Sequence, residues 1–169
     1  MIKKFKFFLA SNVDKEEKWL IEMSSKGFHF KKYKAFMYYF EEDKNKSYIY
    51  QTDFNEPTDD YFQLYEDAGW EYVDSAVVRF HYFRTDANNT KVKKIYSDSE
   101  SIKETYQRML KFYLLFFFVL LTSQVWLFTT WRGDALQIIV LSIVGAVILL
   151  YVYLFISLKR KINFYTRKL

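Results

Sequence analysis

Two histidines, His29 and His81, and two acidic runs, Glu41-Glu42-Asp43 and Glu66-Asp67, are the side chains of this sequence best suited by type to proton transfer or metal binding. Zinc chemistry on a helix would need a pairing such as H-E-x-x-H, and calcium binding a twelve-residue loop with ligands at fixed positions. Neither pattern occurs. Four glycines in the whole chain leave no glycine-rich phosphate loop, and the lack of cysteine removes thiol catalysis, thiolate metal sites and disulfides together. The histidines fall in segments that read as strands and are expected to be structural. The acidic runs read as a solvated turn and an exposed helix end. No catalytic, metal or cofactor residue is assigned, and a non-enzymatic protein is expected.

Aromatic residues offer more. Residues 1–110 hold 11 Phe, 11 Tyr and 2 Trp, more than a domain of this size readily buries. Tyr33, Met37, Tyr39, Tyr48 and Tyr50 are placed on a sheet face left open by the helices, where tyrosine-rich surface favours protein contacts. The same face, flanked by Lys31, Lys32 and Lys34, could stack single-stranded nucleic acid. Against that, residues 1–110 carry 18 Lys and Arg against 19 Asp and Glu, and no RNP1-like run is present. A protein partner is therefore expected rather than nucleic acid, with its identity and the oligomeric state left open.

The net charge of +5 belongs to the C-terminal third. Phe112–Trp131 is uncharged over 20 residues and Leu136–Leu158 over 23, each enough to cross a bilayer core of about 30 Å as a helix. Only Arg132, Gly133, Asp134 and Ala135 separate them, so a transmembrane hairpin is expected. Lys111, Lys159, Arg160, Lys161, Arg167 and Lys168 form a basic rim that suits the cytoplasmic side and anionic lipid. A multi-pass membrane protein with both termini cytoplasmic, and membrane lipids as partners, follows. Matching positions about the turn sets Thr122, Ser123 and Gln124 against Ser142, Gly145 and Ala146, a close contact with an interhelical hydrogen bond. Neither span contains an acid, base or histidine, which argues against an ion or proton path.

The soluble part, residues 1–96, reads as two copies of one pattern. The first is a strand Lys3–Leu9, a helix Asp14–Lys26 with Asp14 and Glu17 as a capping box, Gly27, and a long strand Phe28–Glu41 bulged between Lys31 and Ala35. The second is a strand Ser47–Asp53, a helix Thr58–Ala68, Gly69, a strand Trp70–Val73, a turn Asp74-Ser75-Ala76 and a strand Val77–Arg84. An α+β fold follows, a ferredoxin-like two-layer sandwich with two helices on one face of an antiparallel sheet. A juxtamembrane helix, 97–111, should run unbroken into the first span, 112–131, either as a passive stalk or as a mechanical coupling. The external turn is 132–135, the second span 136–158 and the basic tail 159–169.

The blocks Glu17-Lys18-Trp19-Leu20, Lys26-Gly27-Phe28-His29-Phe30, Glu66-Asp67-Ala68-Gly69-Trp70-Glu71-Tyr72-Val73, His81-Tyr82-Phe83-Arg84 and Ile95-Tyr96-Ser97-Asp98 resemble a bacterial domain-of-unknown-function family common in Gram-positive bacteria. The chain departs from that pattern at Ala35, where glycine is expected, and at Phe28, where tryptophan is. The resemblance implies a cytoplasmic domain paired with C-terminal membrane helices, often encoded beside a PadR-type repressor, and implies no reaction. The expected function is a non-enzymatic, membrane-anchored cytoplasmic interaction or sensory module binding a regulator or transporter. The alternative is an accessory subunit or immunity-type protein acting through its hairpin.

Overall fold

The computed structural model describes residues 1–89 and 91–169. Two β-α-β-β units follow one another. The first is β1 (Ile2–Phe5), α1 (Val13–Ser25), β2 (Phe28–Lys34) and β3 (Met37–Glu42); the second is β4 (Tyr48–Phe54), α2 (Asp59–Asp67), β5 (Glu71–Ala76) and β6 (Phe80–Asp86). Each unit builds its own three-stranded antiparallel sheet with its last strand in the middle, in the orders β1-β3-β2 and β4-β6-β5. Local detail repeats as well. Gly27 and Gly69 end the helices at φ +83° and +84°, and a Cβ on Gly69 would lie 2.8 Å from Val92. β2 is bulged between Phe30 and Lys32, and β5 between Tyr72 and Asp74. Ala35-Phe36 and Val77-Val78 both turn through left-handed backbone, at φ 49° and 64° and at φ 50° and 64°.

The α+β class and the two long apolar helices agree with the sequence reading, while the strands divide between two sheets instead of forming one. β2 and β5 lie side by side, but both are bulged there, and Asp74 Oδ2 accepts the Tyr33 N–H at 2.7 Å. A bulge twists an edge out of line for pairing, so a side chain takes the place of a ladder. Three local expectations change with it. The long strand from Phe28 is a hairpin, the second hairpin turns at Val77-Val78 and not at Asp74–Ala76, and β1 stops at Phe5. Apolar residues are uncommon in left-handed turns, where Asn and Gly dominate, so neither turn was visible in residue type.

The second sheet is the middle layer. One face, with Tyr50, Phe54, Phe80 and Tyr82, packs against Phe30 and Phe40 of the first sheet and Leu20 and Met23 of α1. Its other face is covered by α2, where Tyr65 stacks on Phe83 with ring centroids 3.7 Å apart. Thr58 caps α2 by accepting the Tyr61 N–H.

Two helices complete the chain, α3 (Ser99–Thr129) and α4 (Ala135–Thr166), both long and apolar enough to cross a membrane. Asp98 caps α3, accepting the N–H groups of Glu100 and Ser101, and α3 runs as one helix from its polar first turns into its apolar part. The bases of both helices enter the domain: Tyr106, Met109, Leu154 and Leu158 belong to the same buried cluster as Leu20 and Phe30. Past Leu158, α4 continues to Thr166, with Lys161 Nζ 3.1 Å from Asp14 Oδ1 and the Ser157 hydroxyl donating to Ser11 Oγ at 2.8 Å. The helix bases are thus core elements of the domain. Leu158→Ala should cost about 2–5 kcal/mol by leaving a cavity, read as a lowered melting point of the detergent-solubilised chain by near-ultraviolet circular dichroism. Leu149→Ala, on the exposed side of the same helix, should leave that melt unchanged.

Candidate functional site

Consecutive glutamates on α1, Glu16 and Glu17, are 6% and 8% exposed and diverge because neighbours on a helix point about 100° apart. Glu16 reaches between the sheets, where its Oε1 accepts from the Tyr38 hydroxyl of β3 at 2.5 Å and the Tyr82 hydroxyl of β6 at 2.6 Å. Glu17 turns the other way. Its Oε1 accepts the Thr52 N–H at 2.8 Å and its Oε2 pairs with Lys94. Burial raises both carboxyls above the ordinary range, opposed at Glu16 by the two tyrosine donors and at Glu17 by Lys94. Glu17 is therefore not the capping partner of Asp14: α1 begins at Val13 behind Asn12, with no side-chain cap. The three-residue spacing from Asp14 gives Glu17 a capping role on sequence grounds, and Glu16 carries no pattern that separates it from a solvated helix position.

Each glutamate faces a cavity. Glu16 lines a half-open chamber of about 270 Å³ bordered by Phe7–Ala10, the two hairpin turns at Phe36 and Val77, and Tyr113, Tyr151 and Leu154 of the long helices. Glu17 lines a polar cleft of about 240 Å³ with Thr52, Asp53, Lys94, Thr105 and Tyr106. Among the described residues, the Thr52 hydroxyl there is buried without a hydrogen-bond partner. The cleft is closed by the linker after β6, held by Gln51, which donates to the Ile95 carbonyl at 2.5 Å and accepts its N–H at 3.1 Å. A third, more open cleft gathers Arg79, Arg108 and Lys111 beside Phe112.

The five residues assigned to an open aromatic face are not brought together. Tyr50 is fully buried; its hydroxyl oxygen accepts the Phe30 N–H at 3.0 Å, and burial pushes that hydroxyl up to about 12. Tyr33 turns inward onto Tyr38 and lines the chamber. Tyr48 packs edge-on to His29 and beneath the Arg84 guanidinium. Met37 and Tyr39 do face outward, opposite Phe5 and Lys3 on β1 and Lys34 and Lys32 on β2. The division follows from the fold: β4 belongs to the other sheet, and the bulge at Lys31 resets the alternation of β2.

The hairpin contact also differs. Thr122, Ser123 and Ser142 are exposed, and their hydroxyls donate to carbonyls of their own helix, those of Phe118, Leu120 and Ile138. Gln124 is half-buried but donates to the Leu120 carbonyl within α3. Ala146 is exposed, and a Cβ on Gly145 would meet nothing within 4 Å. Back-bonding satisfies the hydroxyls locally, and aromatic rings fill the interface instead, with Phe117 against Tyr151 and Phe155. Gln137 organises the turn, accepting the N–H groups of Arg132 and Gly133 and donating to the Thr130 carbonyl. Of the basic rim, Lys111, Lys159, Arg160, Arg167 and Lys168 are exposed, while Lys161 is committed to Asp14.

His29 and His81 bolt loops to strands. His29 Nε2 lies 2.6 Å from the Asp43 carbonyl and His81 Nε2 3.1 Å from that of Asn55, with Ser24 and Ser75 hydroxyls on the opposite nitrogens. Glu41, Glu42 and Asp43 pair with Lys31, Lys44 and Lys46.

A raised carboxyl pKa has a sign that can be tested at Glu16. Between the unfolded value near 4.5 and the higher folded one, the native state holds the proton more tightly, so stability falls as pH rises through that interval. Glu16→Gln keeps an acceptor for both tyrosines and does not titrate. Its melting point relative to the parent should rise from pH 4.5 to pH 8 and level off once the parent carboxyl is ionised.

A family model described as a protein of unknown function (DUF2812) matches residues 12–118, from just before α1 into the apolar part of α3. No curated protein and no solved structure matches the chain. The matched span takes in both glutamates, both hairpin turns and the base of α3, and the chain belongs to this family of unknown function, DUF2812.

Proposed function

We propose that this chain is a non-enzymatic, multi-pass membrane protein with both termini in the cytoplasm, acting as a sensory and interaction module that presents its first sheet to a protein partner. The observation that carries this reading is the shared core: Tyr106 and Met109 of α3 and Leu154 and Leu158 of α4 are buried among the strand residues. Packed cores shift between discrete arrangements and do not deform smoothly, so a displacement of the membrane helices reaches the sheets without a flexible joint.

Further features support the orientation. Phe7, Phe36, Val77 and Val78 are 51–73% exposed, and all but Val78 line the chamber that Leu150 and Tyr151 also line. Left-handed backbone at a non-glycine residue costs about 1–2 kcal/mol, and such turns with apolar tips suit the interfacial layer of the inner leaflet better than water. Lys111, exposed in the third cleft, offers a cation to anionic headgroups, while Arg79 there is paired with Glu56. The outward face of the first sheet, with Tyr39, Met37 and Phe5 between Lys3, Lys32 and Lys34, suits an acidic, partly apolar partner. The Gram-positive, PadR-adjacent setting implied by the resemblance favours a transcription regulator over a transporter.

Crosslinking in native membranes followed by affinity capture tests the reading. One stoichiometric protein should be recovered with the parent chain and lost with Tyr39→Ala or Lys32→Glu. Recovery of no partner, or capture undiminished in both variants, would overturn it; capture lost instead with Thr122→Leu and Ser123→Leu would move the activity to the hairpin, as an accessory subunit.

A further inference from the structure

We propose that the chamber around Glu16 is a binding site for a compact organic cation, an aromatic or short-chain amine or quaternary ammonium that enters from the headgroup layer of the membrane. Glu16 is the one charged side chain in the lining, and the rest is apolar or aromatic, with Tyr33, Tyr38, Tyr82, Tyr113 and Tyr151 among the rings. Its Oε1 is held by two tyrosine hydroxyls, and among the described residues its Oε2 makes no hydrogen bond. A carboxyl group fixed among aromatic side chains with no cation of its own is complementary to an alkylated ammonium, which gains both the ion pair and cation–π attraction. An anion would meet an unpaired like charge, and a neutral ligand would leave the carboxylate unmatched.

The position of the site selects the same class. Leu150, Tyr151 and Leu154 form one wall, so the approach lies along the apolar helices, where an anionic leaflet concentrates cations and excludes anions. About 270 Å³ lies at the small end of ligand cavities, which favours a single ring or short chain over a multi-ring compound. Both hairpin turns and both long helices contribute walls, so occupancy fixes the angle between domain and hairpin. The assignment deepens the sensory reading above by naming what is sensed, and it is measured on the purified chain, so it stands or falls apart from partner capture.

Equilibrium dialysis of radiolabelled benzyltrimethylammonium against the full chain in uncharged detergent tests it, with phenylmethanesulfonate as the anionic counterpart. One saturable site for the cation and none for the sulfonate is expected. Glu16→Gln should weaken the cation at least tenfold while the protein still melts cooperatively, and Tyr151→Leu, which leaves the Glu16 hydrogen bonds intact, should weaken it several-fold. Absence of saturable cation binding, equal binding of the sulfonate, or affinity unchanged in Glu16→Gln overturns the proposal. Should Glu16→Gln fail to fold, unchanged affinity in Tyr151→Leu does so instead.

Discussion

A single carboxylate oxygen holds this domain together across its seam. Among the described residues the two sheets share no strand pairing, yet Glu16 Oε1, carried by α1, accepts from Tyr38 at the centre of one and Tyr82 at the centre of the other. Other polar links join the two units: the Tyr33 N–H on Asp74, the Phe30 N–H on the Tyr50 hydroxyl, and from β4 to α1 the Thr52 N–H on Glu17 and the Tyr48 N–H on Ser24. Between these points the interface is aromatic, with Phe30 against Tyr82 at 4.9 Å. Ring packing alone tolerates sliding, whereas a buried, shared acceptor has one geometry. The buried acid is costly, and its return is one acceptor shared by the central strands of both sheets.

The two units are alike in topology, helix stop, bulge and turn, but they are not used alike. The connection from strand to helix is longer in the first, running from Lys6 through Asn12, than in the second, from Asn55 through Thr58. The extra length lets Phe7–Ala10 reach down, lets Ser11 meet Ser157, and closes one wall of the Glu16 chamber. The second unit spends its helix on the far face of its own sheet, where Tyr61, Tyr65 and Trp70 form a separate core. The first unit meets α4 at Ser11 and Asp14, and the second meets α3 where Arg108 donates to the Phe54 carbonyl and Phe112 packs on the Phe54 ring.

Much of this was legible in residue order. The repeat announced itself through Gly27 and Gly69, each following a helical stripe, and the apolar runs after Phe112 were long and uncharged. What stayed hidden depended on geometry that residue type does not encode. Val77-Val78 carries no turn signal, so β5 was ended too early. Tyr50 looks like any alternating strand tyrosine until its strand is assigned to the buried middle sheet. Ser123 and Thr122 look like interhelical donors, but whether a hydroxyl reaches a neighbour or its own backbone depends on helix phase, and here the aromatic stripe of Phe117 took the contact. Glu16 was overlooked because a glutamate in a surface helix is ordinarily solvated, and nothing short of the Tyr38 and Tyr82 positions reveals otherwise.

Because Leu154 and Leu158 belong to the core that both units share, the order of synthesis acquires a meaning. The strands and α1 emerge from the ribosome long before α4 exists, and domains fold as their pieces become available. This one must wait with its aromatic interior open until the second apolar helix has been made and returned alongside the first. A chain cut short before α4 never acquires those leucines. A chain without α4 is thus an unfinished globule open to proteolysis, and the finished fold certifies that α4 has been made and returned alongside α3.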